Sequence, residues 1–167
     1  RTSNHGDLDE YAKWSSKPVI NALTDLEHPC QALADFMTIK EEFIDFNKVV
    51  LTFIGDGNNV ANSLILCGAL LGVEVRIACP NGYGPNPLVI KKAREIYKND
   101  NLLKITNDPY IAVKGANVLY TDVWSSMGEE NQMEEKDKVF HGFTIDSDLV
   151  GKANKDAIIL HCLPAYR

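Results

Sequence analysis

Clustered positive charge is missing from this sequence. Its 17 Lys and Arg stand against 23 Asp and Glu, a formal net charge of −6. Nucleic-acid binding rests on grouped cations that displace phosphate counterions, so nucleic acid is not expected as a partner. No apolar run approaches the ~20 residues that a membrane-spanning helix needs, so no membrane role is expected. Internal repeats and low-complexity segments are lacking too. The four cysteines, Cys30, Cys67, Cys79 and Cys162, form no CxxC pair and follow no metal-ligand spacing. Reduced thiols in a cytoplasmic setting are the simplest reading, with no metal and no organic cofactor implied. Arg1 rather than Met opens the sequence, so the lack of a targeting segment carries no weight.

What is present is ordinary globular composition, 45% hydrophobic and 24% charged over 167 residues. That length suits one domain with a substantial core. Strand and helix signals alternate. Residues 7–15 read as a short helix ended by Pro18, and 19–23 as a short strand. Pro29 opens a helix with Leu33, Phe36, Met37 and Phe43 near a 3.6-residue period. Strands are expected at 49–54, 74–79, 103–106, 118–121 and 157–160. Helices are expected at 59–71, 87–98 and 108–114, with partial helix at 129–140 and a helical turn at 147–152. Continuous apolar strands alternating with helices predict an α/β fold: a doubly wound, Rossmann-like parallel sheet with helices on both faces, in three layers.

Four polar clusters follow expected strand ends. They are Glu27-His28-Pro29-Cys30-Gln31, Gly55-Asp56-Gly57-Asn58-Asn59, Asp122-Val123-Trp124-Ser125-Ser126-Met127-Gly128, and His161-Cys162-Leu163-Pro164. In a parallel sheet all four reach the carboxyl edge, where ligands bind. The last cluster follows Ala157 to Leu160, read as a buried central strand.

His28 and Gln31 are three apart across a helix start and share a face. An imidazole there can donate to a carbonyl oxygen, and an amide can hold an NH2 group; helix capping beside Pro29 is the plainer alternative. The glycine loop lacks the third glycine of a dinucleotide fingerprint, and no acid ends the following strand, which disfavours an NAD enzyme. Asn58 and Asn59 on a tight turn are either helix caps or ligand contacts. Asp122 at a strand end suits an amino group, and Ser126-Met127-Gly128 suits a segment that closes over a ligand. A thiol nucleophile at Cys162 needs a base within reach. His161 is its neighbour, and adjacent strand residues point to opposite faces, so a polar contact is favoured over a covalent role. His5 and His141 read as surface residues.

Taken together, His28-Pro29-Cys30-Gln31, Gly55-Asp56-Gly57-Asn58-Asn59, Asp122-Val123-Trp124 with Ser126-Met127-Gly128, and His161-Cys162-Leu163-Pro164 resemble the aspartate/ornithine transcarbamoylase family, its ornithine branch most closely. The likeness runs along essentially the whole chain. That family has a carbamoyl-phosphate domain and an amino-acid domain. Residues 1–167 resemble the second, C-terminal one as a single domain. The family's Ser-Thr-Arg-Thr phosphate loop, carried by its N-terminal domain, and its C-terminal closing segment have no counterpart here. A chain without them is expected to be inactive alone.

The resemblance implies carbamoyl transfer from carbamoyl phosphate to the δ-amine of L-ornithine, giving L-citrulline and phosphate in arginine biosynthesis or breakdown. It implies that His28 and Arg1 polarise the carbamoyl carbonyl, while Gln31 and the Leu163 backbone carbonyl hold its NH2 group. Asn59, Asp122, Ser126 and the Met127 backbone would bind ornithine, and Cys162 with Asp122 would orient the attacking amine. It implies a cis Leu163-Pro164 turn and a full-length homotrimer or assembly of trimers, with the shorter chain expected as a monomer. The competing readings are a transcarbamoylase for another amine, such as putrescine or an acylated ornithine, and a non-catalytic ligand-binding module.

Overall fold

The computed structural model describes residues 1–97, 99–124 and 133–165. Its centre is a parallel sheet of β1 (Val50–Ile54), β2 (Glu74–Ala78), β3 (Leu103–Thr106), β4 (Val118–Thr121) and β5 (Ile158–His161), in the order β3-β2-β1-β4-β5. Every pairing is parallel. The helices are α1 (His5–Trp14), α2 (Pro29–Glu42), α3 (Asn59–Leu71), α4 (Pro87–Ile96), α5 (Pro109–Val113), α6 (Met133–Val139) and α7 (Ser147–Val150).

Alternation along the strands divides the core into two layers. Leu51, Phe53, Val75, Ile77, Val118 and Tyr120 meet α2, α3 and α4 on one face. Ile54, Ala78 and Leu119 meet α5, α7, Phe140 and Phe143 on the other. Helices therefore cover both faces, and the doubly wound α/β expectation holds. The chain builds β1, β2 and β3 outward on one side, then returns to lay β4 against the other side of β1. The switch point thus falls between β1 and β4, where an open α/β sheet leaves a crevice at its carboxyl ends.

Local chemistry sets the helix ends. Asn58 caps α3 by accepting from the Val60 and Ala61 N–H groups, and Gly72 ends it at φ 72°, a left-handed conformation that suits glycine. Asn86 and Pro87 open α4, whose Lys91, Lys92, Arg94 and Glu95 lie on the surface as the sequence suggests. The apolar composition of α3 follows from its place between α2, α4 and the sheet.

Three expectations need correction. Residues 19–23 form no strand. Val19 and Ile20 are exposed, and the segment is held instead by the Thr2 N–H donating to Leu23 O at 3.1 Å and the Cys30 thiol donating to Asn21 O at 3.4 Å. In α2 the buried stripe is Ala32, Asp35, Phe36 and Ile39, while Leu33 and Met37 face out. Last, β5 is an edge strand among the described residues, with Ile159 exposed, and His161 is its final residue rather than the start of the following loop. An apolar run suits an edge position as well as a central one when its neighbour supplies the pairing, as β4 does here.

Candidate active site

Asn58, Asp122 and Cys162 meet at the switch point. They follow β1, β4 and β5 respectively. Asn58 uses its carbonyl oxygen to cap α3, which turns its amide nitrogen towards Asp122 Oδ2, 2.7 Å away. The capping reading of Asn58 therefore holds, and the same side chain also binds the Asp122 carboxylate. The Cys162 thiol donates to Asp122 Oδ1 at 2.9 Å, and the Val123 N–H donates to the same oxygen at 2.7 Å. Thr121 Oγ1 bridges back to the Ile54 carbonyl at 2.7 Å, tying the ends of β4 and β1 together. Burial pushes the Cys162 thiol pKa well up, and the negative charge of Asp122 adds to it. The sulfur is thus a protonated hydrogen-bond donor and not a poised nucleophile.

His28 reaches the same edge by another route. A polar row on α3, Asn59, Asn62 and Ser63, grips the segment that leads into α2. Asn59 Nδ2 donates to Thr24 O at 2.6 Å, Asn62 Nδ2 to Leu26 O at 3.0 Å, and Ser63 Oγ accepts the His28 N–H at 2.7 Å. The spacing of these residues, i, i+3 and i+4, puts them on one helix face. No sheet strand precedes His28. Its placement is the work of α3, a tertiary effect that a strand-end argument does not anticipate. Burial lowers the imidazole pKa and the Arg1 charge lowers it further, against an opposing pull from Asp122. His28 is therefore a neutral imidazole near pH 7, and its Nδ1 is buried without a hydrogen-bond partner among the described residues.

Gln31 stands one turn into α2. Its Nε2 donates to Asp35 Oδ1 at 3.0 Å, and Asp35 Oδ2 accepts the Tyr120 hydroxyl at 2.8 Å. Asp35 is buried, which raises its carboxyl pKa against the opposing pull of those two hydrogen bonds.

The glycine loop has a structural job of its own. A Cβ on Gly57 would lie 2.3 Å from Pro85 N and 2.4 Å from the Gly84 carbonyl carbon. This glycine allows two backbones to touch, and its N–H donates to Tyr83 O at 2.8 Å. Beside it, Asp56 forms an ion pair with Lys136 of α6 at 2.8 Å, the lysine being almost fully buried.

Donor atoms of Asp122, His161 and Cys162 lie within 4.8 Å of one another. In the metal-free chain the thiol proton of this set is engaged with Asp122. His161 comes closer to the thiol than strand alternation suggests, since Cys162 lies beyond the end of β5. Its Nδ1 is turned to the Cys162 carbonyl oxygen, so no histidine–thiol hydrogen bond forms.

Among the residues read from the sequence, Asn59 opens α3 and Gln31 lies in the first turn of α2, His28 is the residue before α2, and Asp122 and Cys162 directly follow β4 and β5. Arg1 is exposed and close enough to act on His28. Leu163 is exposed beyond β5, with a cis bond to Pro164. Ser126 and Met127 lie outside the described residues. Sequence reasoning missed Asp35, Tyr120, Thr24 and Ser63. The signal for Asp35 was present as an acid four residues after Gln31 in the buried stripe of a helix.

Residues 47–167 match the family model of the aspartate/ornithine carbamoyltransferase Asp/Orn binding domain. Residues 1–41 match that of the carbamoyl-P binding domain. The chain is 84% identical over 167 residues to an ornithine carbamoyltransferase of Prochlorococcus marinus subsp. pastoris, covering all of this chain and 54% of that protein. It is 49% identical over 168 residues to the one from Picrophilus torridus, covering all of this chain and 56% of that one. Among solved structures, ornithine carbamoyltransferase from Pyrococcus furiosus superposes with a TM-score of 0.94 at 46% identity, over all of this chain and 54% of that one. The chain thus spans about half the length of the curated relatives it matches. With the fold, the site and the two family models in agreement, the chain belongs to the aspartate/ornithine carbamoyltransferase family.

Proposed function

We propose that this chain carries much of the active site of an ornithine carbamoyltransferase, and that the full-length protein transfers the carbamoyl group of carbamoyl phosphate to the δ-amine of L-ornithine. The carrying observation is the hydrogen-bonded trio of Asn58, Asp122 and Cys162 at the switch point. It presents a fixed carboxylate and a thiol at the place where the sheet opens. The split of the family models supports the reading. Arg1, His28 and Gln31, taken as carbamoyl-phosphate contacts, fall within residues 1–41, and Asn59, Asp122 and Cys162 fall within 47–167.

In the reaction, the amine nitrogen forms a bond to the carbamoyl carbon, the C–O bond to phosphate breaks, and phosphate leaves with the electron pair. The amine loses a proton, which the departing phosphate takes up. Neutral His28, protonated on Nε2, donates to the carbamoyl oxygen, and the Arg1 guanidinium stabilises the negative charge that builds there. Gln31 and the Leu163 carbonyl hold the carbamoyl NH2. Asn59, Asp122, Ser126 and the Met127 backbone bind the ornithine amino-acid head, while the Cys162 thiol and Asp122 orient the attacking amine. Catalysis comes from positioning and fixed dipoles, without a cofactor. The full-length protein acts in the cytoplasm as a homotrimer or an assembly of trimers.

The test is citrulline formation by the full-length protein, with putrescine, N-acetylornithine and L-aspartate as competing acceptors. Ornithine-dependent citrulline that disappears in Asp122→Ala supports the reading. Transfer to another amine alone corrects the acceptor. No transfer to any acceptor overturns the enzyme assignment.

A further inference from the structure

The contact between Gln31 and Asp35 has a directional consequence. A glutamine amide has a donor end and an acceptor end of almost equal size, and only its surroundings decide which faces where. Asp35 is buried in the stripe of α2 that faces the sheet. Its two oxygens are each taken by one donor, Gln31 Nε2 at 3.0 Å and the Tyr120 hydroxyl at 2.8 Å. Tyr120 is fully buried in β4, two residues before Asp122, and its ring stacks on Phe53 with centroids 5.8 Å apart. The carboxyl group is thus anchored from below by a rigid aromatic side chain. Its remaining oxygen accepts and does not donate, so it selects the NH2 end of Gln31. The Oε1 end, which accepts no hydrogen bond from the described residues, is left for a ligand.

We propose that Asp35, held by Tyr120, is a positioning residue that sets the amide orientation of Gln31, so that Oε1 is presented to an N–H donor of the substrate. Under the carbamoyl-transfer reading, on which this inference rests, that donor is the carbamoyl NH2. An amide turned the other way would set NH2 against NH2. Asp35 touches no substrate and acts through Gln31 alone. Tyr120 extends the same anchor into the strand that carries Asp122, so one strand supports both halves of the site.

The experiment is a donor–acceptor exchange in the full-length protein. Gln31→Glu sets two carboxylates against each other, and the substituted side chain loses its anchor. Asp35→Asn added to it restores the pair in reverse. The introduced amide then donates through its NH2 to one oxygen of the introduced carboxylate, and its carbonyl still accepts from Tyr120. The second oxygen of that carboxylate takes the place of Oε1. Size and total charge match the original pair.

Two quantities are read: the Kd of carbamoyl phosphate by calorimetry, and kcat/KM for citrulline formation. A lost hydrogen bond of ordinary strength corresponds to about a tenfold change. Gln31→Glu alone is expected to weaken carbamoyl phosphate binding by about that factor, and the double variant to return to within about threefold of the starting protein. Thermal unfolding of each variant separates loss of site geometry from loss of fold. If Gln31→Glu alone does not fold, Gln31→Ala serves as the reference for the rescue. A folded double variant that binds no better than the single one overturns the proposal. A starting protein that binds carbamoyl phosphate but forms no citrulline overturns the transfer reading only, because the Kd comparison still tests Asp35. A starting protein that does not bind it overturns both.

Discussion

The Cys162 thiol donates to Asp122 Oδ1 across 2.9 Å, and this one contact decides the character of both groups. Asp122 gains a third hydrogen-bond donor beside Asn58 and Val123. The thiol gains a negative neighbour that opposes its own ionisation.

Thiol labelling follows from that contact. Cys30 is exposed, whereas Cys67, Cys79 and Cys162 are buried. Burial pushes Cys67 and Cys79 each up to about 11, and Cys162 is raised by burial and by Asp122. At pH 8 iodoacetamide is expected to modify Cys30 first and Cys162 at least ten times more slowly, about the reactivity loss that a single pKa unit brings when only the thiolate attacks. Site-resolved mass spectrometry of the time course checks this. Rapid labelling of Cys162 speaks against a protonated, Asp122-bound thiol.

Asn58 has two duties, so its variants separate them. Asn58→Ala loses the α3 cap and is expected to cost about 1–2 kcal/mol of stability. It also frees Asp122 Oδ2 and is expected to weaken amino-acid binding. Asn58→Ser keeps a capping oxygen but cannot reach Asp122, so stability is largely restored while binding stays weak. Urea unfolding beside ornithine affinity on the full-length protein distinguishes the two effects.

Gly57→Ala forces a methyl group against the Gly84-Pro85 backbone. No flexible side chain can move aside there. A loss of about 1–3 kcal/mol is expected from overpacking, together with displacement of the Asn58 turn. An unchanged unfolding midpoint in Gly57→Ala counts against the close approach.

His28 carries a pH signature. Its folded pKa lies below the ordinary 6.5, chiefly through burial, while the unfolded chain takes up its proton at that ordinary value. Between the two values the unfolded state binds more protons, so this stability contribution is present above pH 6.5 and is lost as pH falls through the folded value. His28→Asn removes it. The stability difference between the starting protein and His28→Asn is expected to shrink on acidification from pH 7.5 to pH 5. Parallel curves for the two proteins sink the assignment of a depressed His28 pKa.

Much of the fold was legible because it is written locally. The strand at 118–121 and the helix at 59–71 are recovered within a residue, since continuous apolar runs, Asn caps and Gly72 are signals within one element. The segment at 19–23 failed for the opposite reason: an apolar run becomes a strand only where a neighbour pairs with it. On α2 the apolar residues Leu33 and Met37 drew attention to the exposed side, while the buried side includes a carboxylate. A period shows that a helix has a face; which face is covered depends on what packs there.

Element types, helix caps and the polar clusters at the ends of β1, β4 and β5 follow from local sequence. So does the placing of Asn58, Asp122 and Cys162 near one edge, because every strand of a parallel sheet points the same way. Tertiary structure alone decided that β1 and β4 are neighbours, that Asn58 and Cys162 both bond to Asp122, and that α3 rather than a strand sets His28 in place. Those outcomes rest on hydrogen bonds between residues far apart in the chain, and their geometry depends on strand order and helix packing that no local pattern encodes.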